Sequence, residues 1–319
     1  MGSRPTQSGS GGVIRPRPIE KLVVHPFLSL AYRTISFIVR RLGGTSAVRF
    51  SESATRLMIR PFRPIRFRAM RLFLGPSEGS EEACVSLDDR YIRYQGRILR
   101  ENIALVSSSA DFLRGRIHLE GEEHVKSELA KGTGVVILCT HVGNWLLAPA
   151  LLSLLGYKVS GIAYEIPIQS IESHMKEIWK RFDITVYHPG KSSVRKAKQA
   201  LDRNEILVLA YDASVRPESS VWMPFDDIAI LADPGPARLV SLLKPPVLRL
   251  HVRPHEDSST TLTLMPEPVG DGPAMMTAWL GELHREIRAR PELWWPWSFV
   301  PLGDRSMVPR ETRSKGVAV

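Results

Sequence analysis

A chain of 319 residues with 43% hydrophobic content is long enough to bury a full core and has the composition of an ordinary globular protein. Its two cysteines, Cys84 and Cys139, lie too far apart for a disulfide framework, redox pair or metal-ligand spacing, which fits a reduced, cytosol-facing chain. The net charge of +10 is concentrated in residues 1–73, where fourteen Lys and Arg face only Glu20 and Glu52, leaving the rest close to neutral.

Residues 1–18 are Gly/Ser-rich and read as a flexible tail without the apolar core of a secretory signal. Residues 19–114 read as a basic helical region. Its first apolar stretch, HPFLSLAYRTISFIVRRL (25–42), is broken by Arg33 and ends in Arg40-Arg41, a pattern for lying on an anionic membrane surface and not for crossing it. Breaks are expected at Pro61 and Pro64. Residues 79–107 carry acids early and bases late, the order that a helix dipole favours.

From residue 115 to 302 the texture becomes α/β, and residues 303–319 read as a C-terminal tail. Strands are predicted over 134–140, 158–164, 183–188, 206–212, 246–252 and 260–265. Helices are predicted over 122–130, 143–156, 168–182, 191–203, 234–244 and 274–289. This alternation implies a largely parallel sheet flanked by helices, with the carboxyl ends of its strands along one edge. Residues 132–157 hold no Asp, Glu, Lys or Arg, yet their glycines, Asn144 and Pro149 fit strand, turn and helix better than a span.

Ligands of open α/β sheets bind at the carboxyl edge. The predicted strands deliver His141, Glu165 and Asp212 there. His141 would also sit at the start of the helix over 143–156, where the dipole disfavours imidazolium and so suits a general base. Structural readings stand beside these. The histidine and the two acids fit capping or solvated roles, Asn144 a turn, Trp145 the core, and Cys139 a buried strand.

The segment GVVILCTHVGNWLL (134–147) resembles the catalytic block of the late acyltransferases of lipid A biosynthesis, the lauroyl/myristoyl transferase family. RIHLEGEEHVKSELAKGTG resembles the family's lead-in. In its middle block an Asp closes a strand, an apolar-Pro-Phe turn follows and Gly-Pro-Ala-Arg opens a helix, matching Asp212, Pro224-Phe225 and Gly235-Pro236-Ala237-Arg238. LHREIRARPELWW resembles the C-terminal segment, so the likeness spans about residues 55–300.

The resemblance implies a lysophospholipid-acyltransferase-like fold. It also implies transfer of a fatty acyl group from an acyl-carrier-protein or acyl-CoA thioester to a glycolipid or lipid-linked saccharide, at the cytoplasmic face of the bacterial inner membrane. No bound cofactor or metal and no nucleic acid is expected. The family motif is His, four residues, then an acid that orients the imidazole. Here His141 fits, but the acid's position is Leu146. In another enzyme class, losing the orienting charge costs about 10⁴ in rate, so a substitute carboxylate is needed, and Asp212 and Glu165 are the candidates. Asn144, Trp145 and Arg238 are the expected substrate-binding residues, with Arg238 suited to a phosphate or a salt bridge. Trp294, Trp295, Trp297 and Phe299 suit a lipid interface or packing against the basic region. Two other readings remain: a catalytically silent relative that binds acyl chains or partners an active enzyme, and a polyanion binder acting through the basic arm.

Overall fold

The structure, a computed structural model, describes residues 25–309 except 167–168, 191, 214–219 and 271; the predicted tail over 1–18 lies outside the described residues. The chain opens with α1 (His25–Arg41), α2 (Gly44–Ile59), a 3₁₀ turn (Arg60–Phe62), α3 (Arg63–Glu78), α4 (Glu81–Ser107) and α5 (Ala110–Arg116). Pro61 and Pro64 each fall in the first turn of a new helical segment, where the missing N–H costs nothing. A kink at Gly75, φ 74°, precedes Pro76 inside α3. Ser80 caps α4 by accepting from the Ala83 N–H, and Glu81 and Glu82 in its first turn complement the dipole. No helix among the described residues is long and apolar enough to cross a membrane.

The sheet strands are β1 (Ile117–Glu120), β2 (Val135–Cys139), β3 (Val159–Ile162), β4 (Thr185–Tyr187), β5 (Ile206–Ala210), β8 (Val247–Pro254) and β9 (Thr260–Pro266). They run in the order β1-β9-β8-β2-β5-β3-β4. β8, β2, β5, β3 and β4 are mutually parallel, while β9 turns back antiparallel on β8 and β1 runs parallel to β9. The intervening helices are α6 (Glu122–Leu129), α7 (Leu147–Leu154), α8 (Gln169–Arg181), α9 (Ser193–Asp202), α10 (Gly235–Leu243) and α11 (Gly272–Ala289). The expected α/β architecture with a mostly parallel sheet is therefore present.

Period-two alternation sorts the strand residues between two cores. Val136, Leu138, Leu207, Leu209 and Val247 face a cluster that includes Met70 and Phe73 of α3, Leu87 and Tyr91 of α4, and Leu280 and Leu283 of α11. Val135, Ile137, Ile206, Val208 and Leu248 face Leu113 of α5, Leu151 of α7 and Ile178 of α8. Each fully buried aliphatic chain contributes about 1.5–3 kcal/mol. The basic helix α3 and the longer α4 thus share a continuous core with the sheet.

Three expectations are corrected. The helix after the histidine begins at Leu147 and not at residue 143, because Gly143, φ 76°, turns the chain first; the helix-dipole argument for a neutral His141 therefore falls. Pro224 and Phe225 lie within β6 (Val221–Phe225), and the turn into β7 (Ile228–Ala232) is Asp226-Asp227, with Asp226 at φ 59°. Pro224 is tolerated there because β6 is an edge strand. Finally, the segment expected as a tail from residue 303 opens within β10 (Leu302–Asp304), which pairs antiparallel with β7.

Candidate active site

The register of the two central strands builds the site. Cys139 at the end of β2 stands opposite Ala210 at the end of β5. The residues two places further on, His141 and Asp212, consequently face each other at the carboxyl edge. His141 Nδ1 lies 2.8 Å from Asp212 Oδ1, and the His141 backbone N–H donates to Asp212 Oδ2 at 2.8 Å. A carboxylate only accepts, so Nδ1 carries a proton, and in the neutral imidazole it is Nε2 that presents a lone pair. No hydrogen bond to Nε2 exists among the described residues.

Asp212 is fully buried, and a third donor completes its shell: Trp294 Nε1 bonds Oδ2 at 3.0 Å. Burying a carboxylate costs several kcal/mol unless hydrogen bonds and a partner charge offset it, and three converging N–H donors do so here. The chain around Trp294 is held by backbone pairing with the histidine turn. Val142 bridges Trp294 antiparallel, the Gly143 N–H donates to the Leu293 carbonyl at 3.0 Å, and the Trp295 N–H donates to the His141 carbonyl at 3.0 Å. From the other side, Tyr91 Oη of α4 donates to the Trp295 carbonyl at 3.0 Å.

Two indoles flank the imidazole. Trp145 meets it edge-on at 5.7 Å, and Trp295 lies tilted at 5.4 Å. The His141 side chain retains 16% exposure, so the open face is a narrow one between aromatic walls. Gly143 permits this tight turn: a Cβ there would stand 2.6 Å from Val252 Cγ1.

The other expected residues divide. Glu165 does not approach His141; it is exposed, with His188 Nε2 at 3.7 Å. Asn144 is buried, and its amide nitrogen donates to Glu101 Oε2 at 3.0 Å and Asn102 Oδ1 at 2.9 Å, tying the histidine turn to α4. Trp145 is half-buried beside His141, 6.3 Å from Trp179 of α8. Arg238 is exposed in the first turn of α10, without an ion pair among the described residues. That helix starts beside the end of β3, where Tyr164 Oη donates to Asp233 Oδ2 at 3.0 Å. Leu146 is buried in the apolar cluster with Leu147, Leu151 and Met175. Cys139 is buried too, and burial pushes its thiol far above the ordinary range, which removes it as a nucleophile.

The aromatic cluster near the C-terminus also splits. Trp294 and Trp297 are fully buried, whereas Trp295 and Phe299 are exposed. The run LWWPW was visible in the sequence, but the indole that turns inward is selected by pairing with residues 141–143. Tyr91, Glu101 and Asn102 carried no sequence signal, since each is one polar position on a long helix.

A model of the bacterial lipid A biosynthesis acyltransferase family matches residues 24–297. No curated protein matches the chain.

Proposed function

The chain belongs to the bacterial lipid A biosynthesis acyltransferase family, and from that premise we propose that His141 is the general base of a fatty acyl transfer. The donor is an acyl-carrier-protein or acyl-CoA thioester. The acceptor is a hydroxyl or amine of a glycolipid or lipid-linked saccharide. His141 Nε2 removes the acceptor proton as its oxygen or nitrogen attacks the thioester carbonyl. The tetrahedral adduct then collapses, the C–S bond breaks, and the thiol leaves with the proton held by the imidazolium. No metal or cofactor enters these steps. Base catalysis of this kind contributes roughly 10²–10⁴ in rate.

The observation that carries the reading is the pair formed by His141 Nδ1 and the buried Asp212 at 2.8 Å. It supplies an orienting acid although Leu146 occupies the family's usual place. Asp212 holds the tautomer with Nε2 unprotonated and stabilises the imidazolium once it forms, the division of labour of the Ser-His-Asp arrangement with the acceptor hydroxyl in the serine's place. Trp145 walls the reacting position, and the exposed Arg238 suits a phosphate of the donor or acceptor. Asn144 acts as an anchor for the turn. The basic N-terminal region supports a peripheral or N-terminally anchored position at an anionic membrane surface, on the cytoplasmic face of the inner membrane.

The test is transfer of a radiolabelled acyl chain from a carrier-protein or CoA thioester to a lipid-linked saccharide. Wild-type protein transfers and His141→Ala does not. Unchanged transfer in that variant overturns the mechanism.

A further inference from the structure

We propose that the edge formed by the 3₁₀ turn Arg60–Phe62, the start of α3 and the Trp295–Phe299 segment is where this protein inserts into an anionic lipid bilayer. His141 would then lie at the end of an aromatic path leading from the lipid. This inference rests on the acyl-transfer reading for its purpose, and on surface chemistry for its substance.

The path is continuous. The Trp295 ring lies 5.4 Å from the His141 ring and stacks on Phe299 at 4.9 Å, and Phe299 lies 6.2 Å from Phe62. Every ring of the path beyond the imidazole is exposed: Trp295 is 38% exposed, Phe299 51% and Phe62 40%, with Ile65 at 48% and Leu57 at 72% on the flanking helices. Large apolar side chains gathered in this way mark an interaction surface. Around them stand arginines. Arg60 and Arg68 are exposed and make no ion pair or side-chain hydrogen bond among the described residues. Arg63 is half-exposed and extends over Phe67, with Asp88 at 3.6 Å.

Apolar tips surrounded by guanidinium groups match an anionic bilayer, in which aromatics settle at headgroup depth and arginines meet lipid phosphates. An acidic carrier protein would meet the arginines but leave Leu57, Phe62 and Ile65 without an apolar environment. The rival face on this chain is that of α1. It buries Tyr32 and Val39 and leaves Leu30 and Phe37 exposed, but none of its aromatics leads to His141.

The experiment uses full-length protein and sedimentation with vesicles of phosphatidylglycerol and phosphatidylcholine, together with brominated lipid as a tryptophan quencher. The expected result is binding that weakens roughly tenfold for each of Phe62→Ser and Phe299→Ser. It should weaken about fivefold for each of Arg60→Ala and Arg68→Ala at low salt. Brominated lipid should quench wild-type emission, and Trp295→Phe should remove most of that quenching. The proposal is overturned if these variants bind as wild type does, or if Leu30→Ser and Phe37→Ser alone abolish binding. It is equally overturned if the arginine variants lose an acidic carrier protein but keep the vesicles. Binding requires no turnover, so an active His141→Ala variant would end the mechanistic reading and leave the vesicle result standing. Patch variants that transfer normally and bind normally would end this inference alone.

Discussion

Asp212 stands 71 residues beyond His141 in the chain and 2.8 Å from its Nδ1. Two parallel neighbours in register, each extended by two residues, bring the pair together. The oxygen that does not meet the imidazole accepts from the His141 backbone and from Trp294. The pair is therefore fixed from both ends.

Asp212→Asn keeps the size and removes the charge. An amide nitrogen must then face either the His141 Nδ1–H or the pair formed by the His141 backbone N–H and Trp294 Nε1–H, all of them donors. Transfer is expected to fall by about 10⁴, as in the serine hydrolase case where the same change leaves the wrong tautomer. The check is the single-turnover rate at saturating thioester. A loss below tenfold would show that Asp212 does not orient the base.

Trp294→Phe removes one donor to a buried carboxylate and leaves packing largely in place. Hydrogen bonds to charged groups contribute about 1.5–3 kcal/mol, so the denaturant midpoint should fall by that order. The rate should drop further than the folded fraction explains. A stability loss with normal turnover per folded molecule would make Trp294 a packing residue only.

Leu146→Glu places a carboxyl at the position where the sequence resemblance led to the expectation of an acid. In this chain the position lies in an apolar cluster, and Nδ1 already has its partner. An uncompensated buried charge costs about 3 kcal/mol or more. Lower thermal stability with no gain in transfer is the expected result; a gain would mean that Asp212 serves poorly.

Gly143→Ala tests the turn. Its φ of 76° is one that side chains rarely adopt, and the added Cβ meets Val252. Strain of this kind costs on the order of 1–3 kcal/mol. Both stability and transfer should fall; a folded, fully active variant would contradict the geometry.

Two buried histidines set an acid limit. His174 lies 5.6 Å from Tyr32 and hydrogen-bonds the Asn102 carbonyl at 2.9 Å; His284 packs against Phe73 and Phe225. Burial pushes both below the ordinary histidine value, although Glu177 and Asp226 pull the other way. The unfolded chain then binds more protons, so stability rises with pH. Their contribution is intact above about pH 6.5 and is lost as the pH falls through the depressed folded values. The melting temperature should drop between about pH 7 and about pH 5. His174→Gln with His284→Gln should flatten that slope, and an unchanged slope would remove these residues as its cause.

Much of this architecture was legible because burial writes period two into strands and longer apolar spacing into helices. That pattern placed the ends of β2, β3 and β5 on one edge and so named His141, Glu165 and Asp212 together. It did not separate the two acids, because strand order decides that. β5 lies between β2 and β3, so Asp212 is the neighbour and Glu165 is one strand away. The reversal of β9 was hidden for the same reason: a strand's sequence records which face is buried and not which way its partner runs. β6, β7 and β10 went unmarked as strands. They are short, and Pro224 reads as a break unless the strand is known to lie at an edge.

The pairing of Trp294 with a carboxylate made 82 residues earlier also sets an order of assembly. During synthesis, His141 and Asp212 emerge first, with one oxygen of the buried carboxylate short of a donor. The indole that completes the shell, and the backbone strand that clasps the histidine turn, exist only once residue 295 has been made. A nascent chain therefore lacks the third donor to Asp212 and the clasp on the histidine turn until that late segment has been made.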